Sequence, residues 1–366
     1  MGGGTSALPE QPCRDLCPTL FRARLRPCGL RWRRKSRPIA LRPDIAQPPF
    51  AFINAFKPSG VSSTAFGSWV KRLAGADALG HWGTLDPGAC GVLVLGLGKA
   101  TRLFPLLANT RKRYVFELNV GARTNTGDAT GNVIEQGHVP DGWLAALAKV
   151  VPDFVGPLEQ VPPMHSAVKV QGRPLYRSAR AGVCVERKSR PTHIYDLRVL
   201  PEPERVSRST RLFVECAAGT YVRVLCEDVG QRLGLVAHMG ALVRLSSGDF
   251  HAGSAALPQQ LGRDVRGCFL NPLKFFSTPR IAVDESQARR FEHGCPIIVA
   301  DPAAVRAAGA YDRHQELLVV FGEDELLGTA RASEQQGKVL LSPVRVLAQT
   351  ADEGAAKGAS GGEANG

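Results

Sequence analysis

Alternating and continuous runs of apolar residues predict strands in the first half of the chain. In "YVFELNVGA" every second residue is apolar, and this period of two is typical of a strand with one buried face. The apolar positions are Tyr114, Phe116, Leu118 and Val120. "GVLVLGLG", residues 91–98, is apolar throughout, which predicts a strand buried on both faces.

A different spacing predicts a helix near the middle of the chain. In "GTYVRVLCEDVGQRLG" apolar residues recur three and four positions apart, as on one face of a helix. They are Val222, Leu225, Val229 and Leu233. We expect this helix to begin after Tyr221 and to end at Gly234, since glycine readily adopts the left-handed conformation that closes helices.

The pattern changes again after residue 278. Short apolar segments such as "ELLVVFG" and "KVLLSPVRVL" alternate with turn residues there, which predicts a small β-rich domain over residues 278–349. We therefore expect an α+β protein whose larger domain covers residues 49–254. The Gly/Ala-rich residues 350–366 contain no apolar anchor, and we expect them to form a disordered tail.

The charge of the chain favours a polyanionic partner. Its 366 residues carry a formal net charge of +13. Clustered Lys and Arg bind phosphates with release of counterions, so nucleic acid is the first candidate and an anionic membrane surface the second. Residues 1–48 hold ten basic residues against three acidic ones and lack periodicity, so we expect disorder. This extension could be a basic arm, an organelle transit peptide or sequence upstream of the true start.

The sequence also excludes several classes of protein. No stretch reaches the roughly 18 apolar residues of a spanning helix, and no signal peptide is evident, so we expect a cytoplasmic protein. An organellar location remains the alternative if residues 1–48 are a transit peptide. The nine cysteines are scattered without paired spacing, which predicts reduced thiols rather than a zinc site or a disulfide framework.

One carboxylate lies in an unusual setting. "GHWGTLDPGACG", residues 80–91, surrounds Asp86 with glycines and a proline. Pro87 restricts Asp86 to extended backbone, and the glycines allow a sharp bend and close approach of another chain. From these residues alone, Asp86 either caps a turn or is a functional carboxylate.

The neighbouring residues do not fit a phosphate-binding loop or a metal site. GxxxxGK[ST] would need glycine at Leu93 and a hydroxyl at Ala100, and GxGxxG would need glycine at Thr101. A metal would need three or four convergent ligands, and His81 is the one other candidate nearby.

Five motifs in order resemble the TruB family of tRNA pseudouridine synthases. Around Asp86 the chain is similar to that family's G-H-x-G-[ST]-L-D-P-x-A-x-G-V-L signature. The other four segments are "KPSGVSS" at 57–63, "KRYVFELNVGARTNTGDATG" at 112–131, "QVPPMHSAVKVQGRPLYRSARAG" at 160–182 and "GTYVRVLCEDVGQRLGLVAHMGALVR" at 219–244. The resemblance is strong over residues 50–253 and weaker over 278–349.

This resemblance implies a fold, a reaction and a substrate. The fold would be the pseudouridine synthase fold, a mixed and largely antiparallel sheet flanked by helices, with a thumb-like RNA-binding insertion at about 157–195. The domain at 278–349 would be a PUA-like RNA-binding module. The reaction would convert a T-loop uridine of tRNA, at position 55, to pseudouridine by base flipping, cleavage of the glycosidic bond and rejoining through C5.

The resemblance also implies roles for single residues. Asp86 would be the catalytic carboxylate, and Arg223 would pair with it and favour its charged form. Tyr114 would stack on the target uracil, and Tyr221 would act near C5 as base or proton relay. His81 would enter the RNA loop in place of the flipped base.

Further residues match the family at the edge of the site or in the thumb. Lys57, Asp128 and Leu242 correspond to positions at the pocket edge. Four basic residues of the thumb-like segment would contact phosphates, which positions RNA without reading its sequence. These are Lys169, Arg173, Arg177 and Arg180.

The chain departs from the family pattern at three places. Asn125 stands where an aspartate is frequent, "LVRL" has one arginine where the family has two, and Trp82 replaces a residue that is usually small. Trp82 lies beside His81, so it could alter how the T loop is gripped.

The implied enzyme needs no cofactor and no metal, and we expect a monomer that acts on the tRNA T-arm without a guide RNA or a membrane.

Two alternatives to this function stay open. One is an RNA-binding or RNA-folding protein with a vestigial site, and the other is the branch of the family that works with guide RNAs and partner proteins. Asp86 could attack the sugar, attack the base or act through a glycal.

Overall fold

The chain divides into two compact units between Leu270 and Asn271. The computed structural model describes residues 50–107, 110–164, 166, 169–170, 173–175, 185–201, 208–299, 305, 316–322, 325–335 and 338–347. The domain limits predicted from sequence, 254 and 278, lie on either side of the division. The predicted disorder of residues 1–48 and 350–366 concerns segments outside the described residues.

The first unit contains thirteen strands and four α-helices in its described residues. The strands are β1 (Ala51–Lys57), β2 (Leu79–Trp82), β3 (Cys90–Leu97), β4 (Lys112–Val120), β5 (Ala122–Thr124), β6 (Val133–Gln136), β7 (Gly156–Gln160), β8 (Lys169–Val170), β9 (Arg173–Pro174), β10 (Arg190–Val199), β11 (Ser209–Cys216), β12 (Ala237–Ser247) and β13 (Phe250–His251). The helices are α1 (Ser63–Ala74), α2 (Trp143–Val150), α3 (Val222–Arg232) and α4 (Pro258–Arg263).

A mixed sheet organises this unit. Its strand order is β1-β3-β12-β4-β11-β10-β7, with β2 paired to β3 and β13 paired to β12. Every pair is antiparallel except β12 with β3. The α+β prediction and the largely antiparallel sheet are therefore confirmed.

The elements predicted from hydrophobic spacing are present. All eight residues of β3 are buried, as expected for a strand covered on both faces. In β4 the predicted positions Tyr114, Phe116, Leu118 and Val120 are buried. Helix α3 begins after Tyr221, and Gly234 has a left-handed φ of 69° just beyond its end.

The parallel pairing of β3 with β12 requires a glycine. Gly91 pairs with Arg244 across the parallel contact and has a φ of 110°, where an L side chain is strained. A Cβ at this position would overlap the backbone carbonyl of Arg244. Gly91 thus allows the segment after the Asp86 turn to lie directly against β12.

Two apolar clusters stabilise the sheet in this unit. One lies between β4, β11, β12 and the helices α2 and α3, and includes Phe116 and Leu225. The other joins β1 and β3 to α1 and to Leu261 of α4. None of the helices in the described part of the chain has the length and apolar character needed to span a bilayer.

The second unit is rich in strands, as predicted. It contains β14 (Arg280–Val283), β15 (Ile297–Val299), β16 (Leu317–Phe321), β17 (Glu325–Gln335) and β18 (Lys338–Val346), in the sheet order β14-β16-β17-β18-β15. It also contains α5 (Glu285–Glu292), which the sequence interpretation did not include. Asp284 and Gln287 cap this helix reciprocally, which is the sequence signal that would have revealed it.

Candidate active site

The turn that carries Asp86 is anchored to the first residue of α1 and to the segment before that helix. The Ser63 hydroxyl donates to the Leu85 carbonyl at 2.8 Å and accepts from the Leu85 amide at 2.9 Å. The Ser59 hydroxyl donates to the Gly88 carbonyl at 2.8 Å. These bonds fix the backbone on both sides of Asp86, so its carboxylate has a defined direction.

Arg223 holds the Asp86 carboxylate side-on. Its Nε lies 3.1 Å from Oδ2, and its Nη2 lies 3.5 Å from Oδ1. The Arg223 side chain is 6% exposed, whereas that of Asp86 is 33% exposed. The carboxylate is therefore oriented from the protein side and still reaches solvent, as a group that meets a large substrate requires.

The loop between β5 and β6 fixes the other side of Arg223. Arg223 Nη1 donates to the Thr126 carbonyl at 3.0 Å. The predicted pocket residue Asp128 organises this loop, since its Oδ1 accepts from the Thr126 hydroxyl at 2.8 Å and from the Thr130 amide at 2.9 Å. Asn125 stabilises the same loop by accepting from the Asn132 amide at 2.9 Å.

Tyr114 lies against a buried arginine that the sequence interpretation gave no role. Arg244 is 1% exposed, and its side chain donates to the carbonyls of Val92 at 2.7 Å and Gly83 at 2.8 Å. Arg244 pairs with Tyr114 across β12 and β4. Burial raises the pKa of the Tyr114 phenol, and the Arg244 charge opposes part of that shift. Arg244 thus joins Tyr114 to the Asp86 turn, and its one sequence signal was a cation inside the apolar strand "LVRL".

His81 and Trp82 are the last two residues of the half-buried strand β2, just before the turn. His81 Nε2 lies 3.1 Å from the Thr84 hydroxyl. Burial, with a further contribution from the Arg244 charge, lowers the pKa of His81, which favours the neutral ring. A neutral ring beside the turn is suited to stacking rather than to binding phosphate.

Tyr221 is half-buried at the start of α3, two residues before Arg223. The buried Gln160 side chain clamps its backbone, since Gln160 Oε1 accepts from the Tyr221 amide at 2.9 Å and Nε2 donates to its carbonyl at 3.3 Å. This clamp connects β7 to the helix that carries Arg223.

The remaining predicted residues divide into two groups. Lys57 is fully buried and donates to the carbonyls of Pro58 and Val61, which shapes the segment that anchors the Asp86 turn. Leu242 is buried opposite Phe116 in the sheet. Lys169 and Arg173 belong to the short hairpin β8–β9, but their side chains lie outside the described residues. Arg177 and Arg180 also lie outside them.

The site thus consists of one carboxylate, a paired guanidinium, a buried phenol and a second guanidinium. Within the described ranges, no group of three or more His, Cys, Asp or Glu side chains could hold a metal ion. Such a constellation can support attack by a carboxylate or general base catalysis next to an aromatic face.

Comparisons with known proteins give the family. The model described as "TruB family pseudouridylate synthase (N terminal domain)" matches residues 71–222. The tRNA pseudouridine synthase B of Pelotomaculum thermopropionicum is 36% identical over 310 residues, which cover 82% of this chain and 97% of that protein. The enzyme of the same name from Ralstonia pickettii is 40% identical over 269 residues, which cover 70% of this chain and 83% of that protein.

Solved structures show the same fold at lower identity. The chain resembles one in a Cbf5-Nop10-Gar1 complex with a TM-score of 0.59 and 24% identity, covering 83% of this chain and 90% of that one. It also resembles one in an H/ACA RNP bound to a substrate RNA, with a TM-score of 0.58 and 23% identity over 82% and 86% of the two chains. With a relative matched over nearly its whole length at 36% identity, the chain belongs to the TruB family of pseudouridylate synthases.

Proposed function

We propose that this protein is a tRNA pseudouridine synthase that isomerises a T-loop uridine, at position 55, with Asp86 as the catalytic carboxylate. The observation that carries the proposal is the side-on pair of Asp86 with the buried Arg223, and the charge of that carboxylate also acts on the buried Tyr114. Curated relatives at 36% and 40% identity bear the name tRNA pseudouridine synthase B, and the net charge of +13 suits a polyanionic substrate.

In the proposed reaction the target uridine leaves the stack and its base enters the site. The N1–C1′ bond breaks, the uracil rotates, and a C5–C1′ bond forms. C5 loses its proton and N1 gains one, so the reaction is a balanced isomerisation. Asp86 acts on the sugar or on the base, Tyr114 stacks on the uracil, and Tyr221 takes the C5 proton.

The proposal also covers the other residues that would contact RNA, the oligomeric state of the enzyme and its location. His81 would fill the space left by the flipped base, Lys57, Asp128 and Leu242 would lie at the pocket edge, and the thumb at 157–195 would contact phosphates. The module at 278–349 would be PUA-like and would assist RNA binding. We further propose a cytoplasmic monomer that needs no guide RNA, with organellar targeting by residues 1–48 as the alternative location.

Release of tritium from C5-labelled uridine in an unmodified tRNA transcript tests the function directly. We expect the purified protein alone to release one equivalent per tRNA, because C5–H is replaced by C5–C1′. A transcript with cytidine at T-loop position 55 should release none, although its other uridines carry the label. Tight binding without release from either transcript would favour the RNA-binding alternative, and equal release from both would place the reaction at another uridine.

Substitutions of Tyr114 test whether the ring or the hydroxyl matters. Tyr114→Phe keeps the aromatic face and removes only the hydroxyl of this neighbour of Arg244, so kcat/KM should fall by about tenfold or less. Tyr114→Leu also loses stacking, which contributes roughly 1–3 kcal/mol, so its kcat/KM should be about a further 10- to 100-fold lower. The exposed Phe50 offers a control, since Phe50→Leu should leave kcat/KM unchanged. Equal losses for Phe and Leu at position 114 would contradict the stacking role.

A further inference from the structure

Lys112 is a buried cation without a counterion. It is the first residue of β4, two positions before Tyr114, and is 8% exposed. Its ammonium lies 5.0 Å from the centroid of the Trp82 ring. Within the described residues, no hydrogen bond or ion pair reaches Nζ. Because burying a charge is costly, a lysine in this setting usually has an anionic partner.

A second cation lies beside Lys112. A Cβ placed on Gly83 would lie 2.7 Å from Lys112 Nζ and 3.3 Å from Arg244 Nη1, so both groups border the same point of the Asp86 turn. The absence of a side chain at Gly83 is what permits this approach. The protein therefore brings two positive groups together next to its catalytic turn.

The electrostatics agree with this geometry. Burial, together with the charge of Arg244 on β12, lowers the pKa of Lys112 to about 8, and the Cys216 thiol on β11 opposes that shift only in part. On the side of β2, the Arg244 charge also contributes to the lowered pKa of His81. No carboxylate contributes to the lowered pKa of Lys112. The free protein thus tolerates like charges at close range, which is destabilising without a ligand.

We propose that Lys112 and Arg244 bind a phosphate of the RNA substrate beside the Asp86 turn. This inference rests on the proposed function and extends it to a specific contact. Gly83 is three residues from Asp86, and three residues span at most about 11 Å. A phosphate at Gly83 therefore belongs to the nucleotide whose base reaches Asp86 or to its immediate neighbour. Such a contact would fix the register of the flipped nucleotide without reading its sequence.

Lys112→Met tests the inference, because methionine keeps the length of the side chain and removes its charge. For the free protein we expect Tm to rise by about 5 °C, since an uncompensated buried charge is removed. For unmodified tRNA we expect Kd to increase about tenfold and the slope of log Kd against log salt to fall by about one. Lys149→Met, at an exposed lysine of α2, should change neither quantity.

Two further readouts connect the effect to this site. The fluorescence of Trp82, obtained as the difference between wild type and Trp82→Phe, should change when tRNA binds to wild type, and at saturating tRNA this change should be smaller in Lys112→Met because no phosphate is held beside the ring. Raising the pH from 7 to 9 removes the Lys112 charge, because its pKa is about 8, and should weaken tRNA binding in wild type more than in the variant.

A purely structural role of Lys112 would give a different set of results. If Lys112 only supports Trp82, Lys112→Met would lower Tm and leave the tRNA affinity unchanged, and the inference would be wrong. That failure differs from failure of the proposed function, in which the wild-type protein itself would release no tritium from tRNA.

Discussion

We expect Asp86→Asn to abolish pseudouridine formation, with kcat/KM reduced by at least about 10⁴-fold. Asparagine has nearly the same shape but cannot act as an anionic nucleophile or base. Its amide would also present a donor to Arg223, where the carboxylate accepts at 3.1 Å and 3.5 Å. Single-turnover tritium release with excess enzyme measures the loss directly.

Binding and folding should survive this substitution. The turn is held by Ser59 and Ser63 through the backbone atoms of Leu85 and Gly88, so the fold should persist, while the buried Arg223 loses its anion and the free energy of unfolding should fall by about 1–3 kcal/mol. The Kd for tRNA should stay within about threefold of wild type, since phosphate contacts dominate affinity. Asp77→Asn is the matched control, because Asp77 is an exposed aspartate between α1 and β2. Activity of the Asp86 variant above 1% of wild type would rule out Asp86 as the reacting group.

Arg223→Lys has the second largest expected effect, a reduction of kcat/KM by about 10²- to 10³-fold. The guanidinium contacts both Asp86 oxygens and the Thr126 carbonyl at once. An ammonium keeps the charge but cannot satisfy that planar set of acceptors, so the carboxylate loses its orientation. The loss should fall mainly on kcat, because the RNA-binding surface is unchanged.

A double-mutant cycle separates orientation from general charge. In an Asp86→Asn background, Arg223→Lys should cost little further activity, since the two residues act as one unit. Arg232→Lys provides the control on the same helix, because Arg232 forms an exposed ion pair with Asp153 and should leave activity within about twofold. Additive losses at positions 86 and 223 would show that Arg223 acts apart from Asp86.

Much of the fold was predictable from the sequence because its signals are local. The alternation through β4, the apolar run of β3 and the start of α3 after Tyr221 each depend on neighbouring residues. The pairing of Asp86 with Arg223 was expected from the family resemblance, and the structure brings these residues together.

The contacts that were missed depend on distant parts of the chain. Arg244 meets the Val92 and Gly83 carbonyls across separations of 152 and 161 residues, which no local pattern encodes. Lys112 continues the alternating face that contains Tyr114 and Phe116, but a lysine at the start of a strand is ordinarily solvated. Its burial becomes visible only when β12 and β2 are in place.

The position of β12 between β3 and β4 has a consequence for synthesis of the chain. On the ribosome, β3 and β4 emerge more than 100 residues before β12, so their facing edges cannot be joined while that stretch is being made. A nascent chain that stops before Ala237 holds Asp86 without the Arg244 bonds and exposes two unpaired strand edges. Such long-range pairing slows folding and invites misassociation, so chaperone protection is needed most in this interval. Activity can therefore appear only after residue 247 has left the exit tunnel.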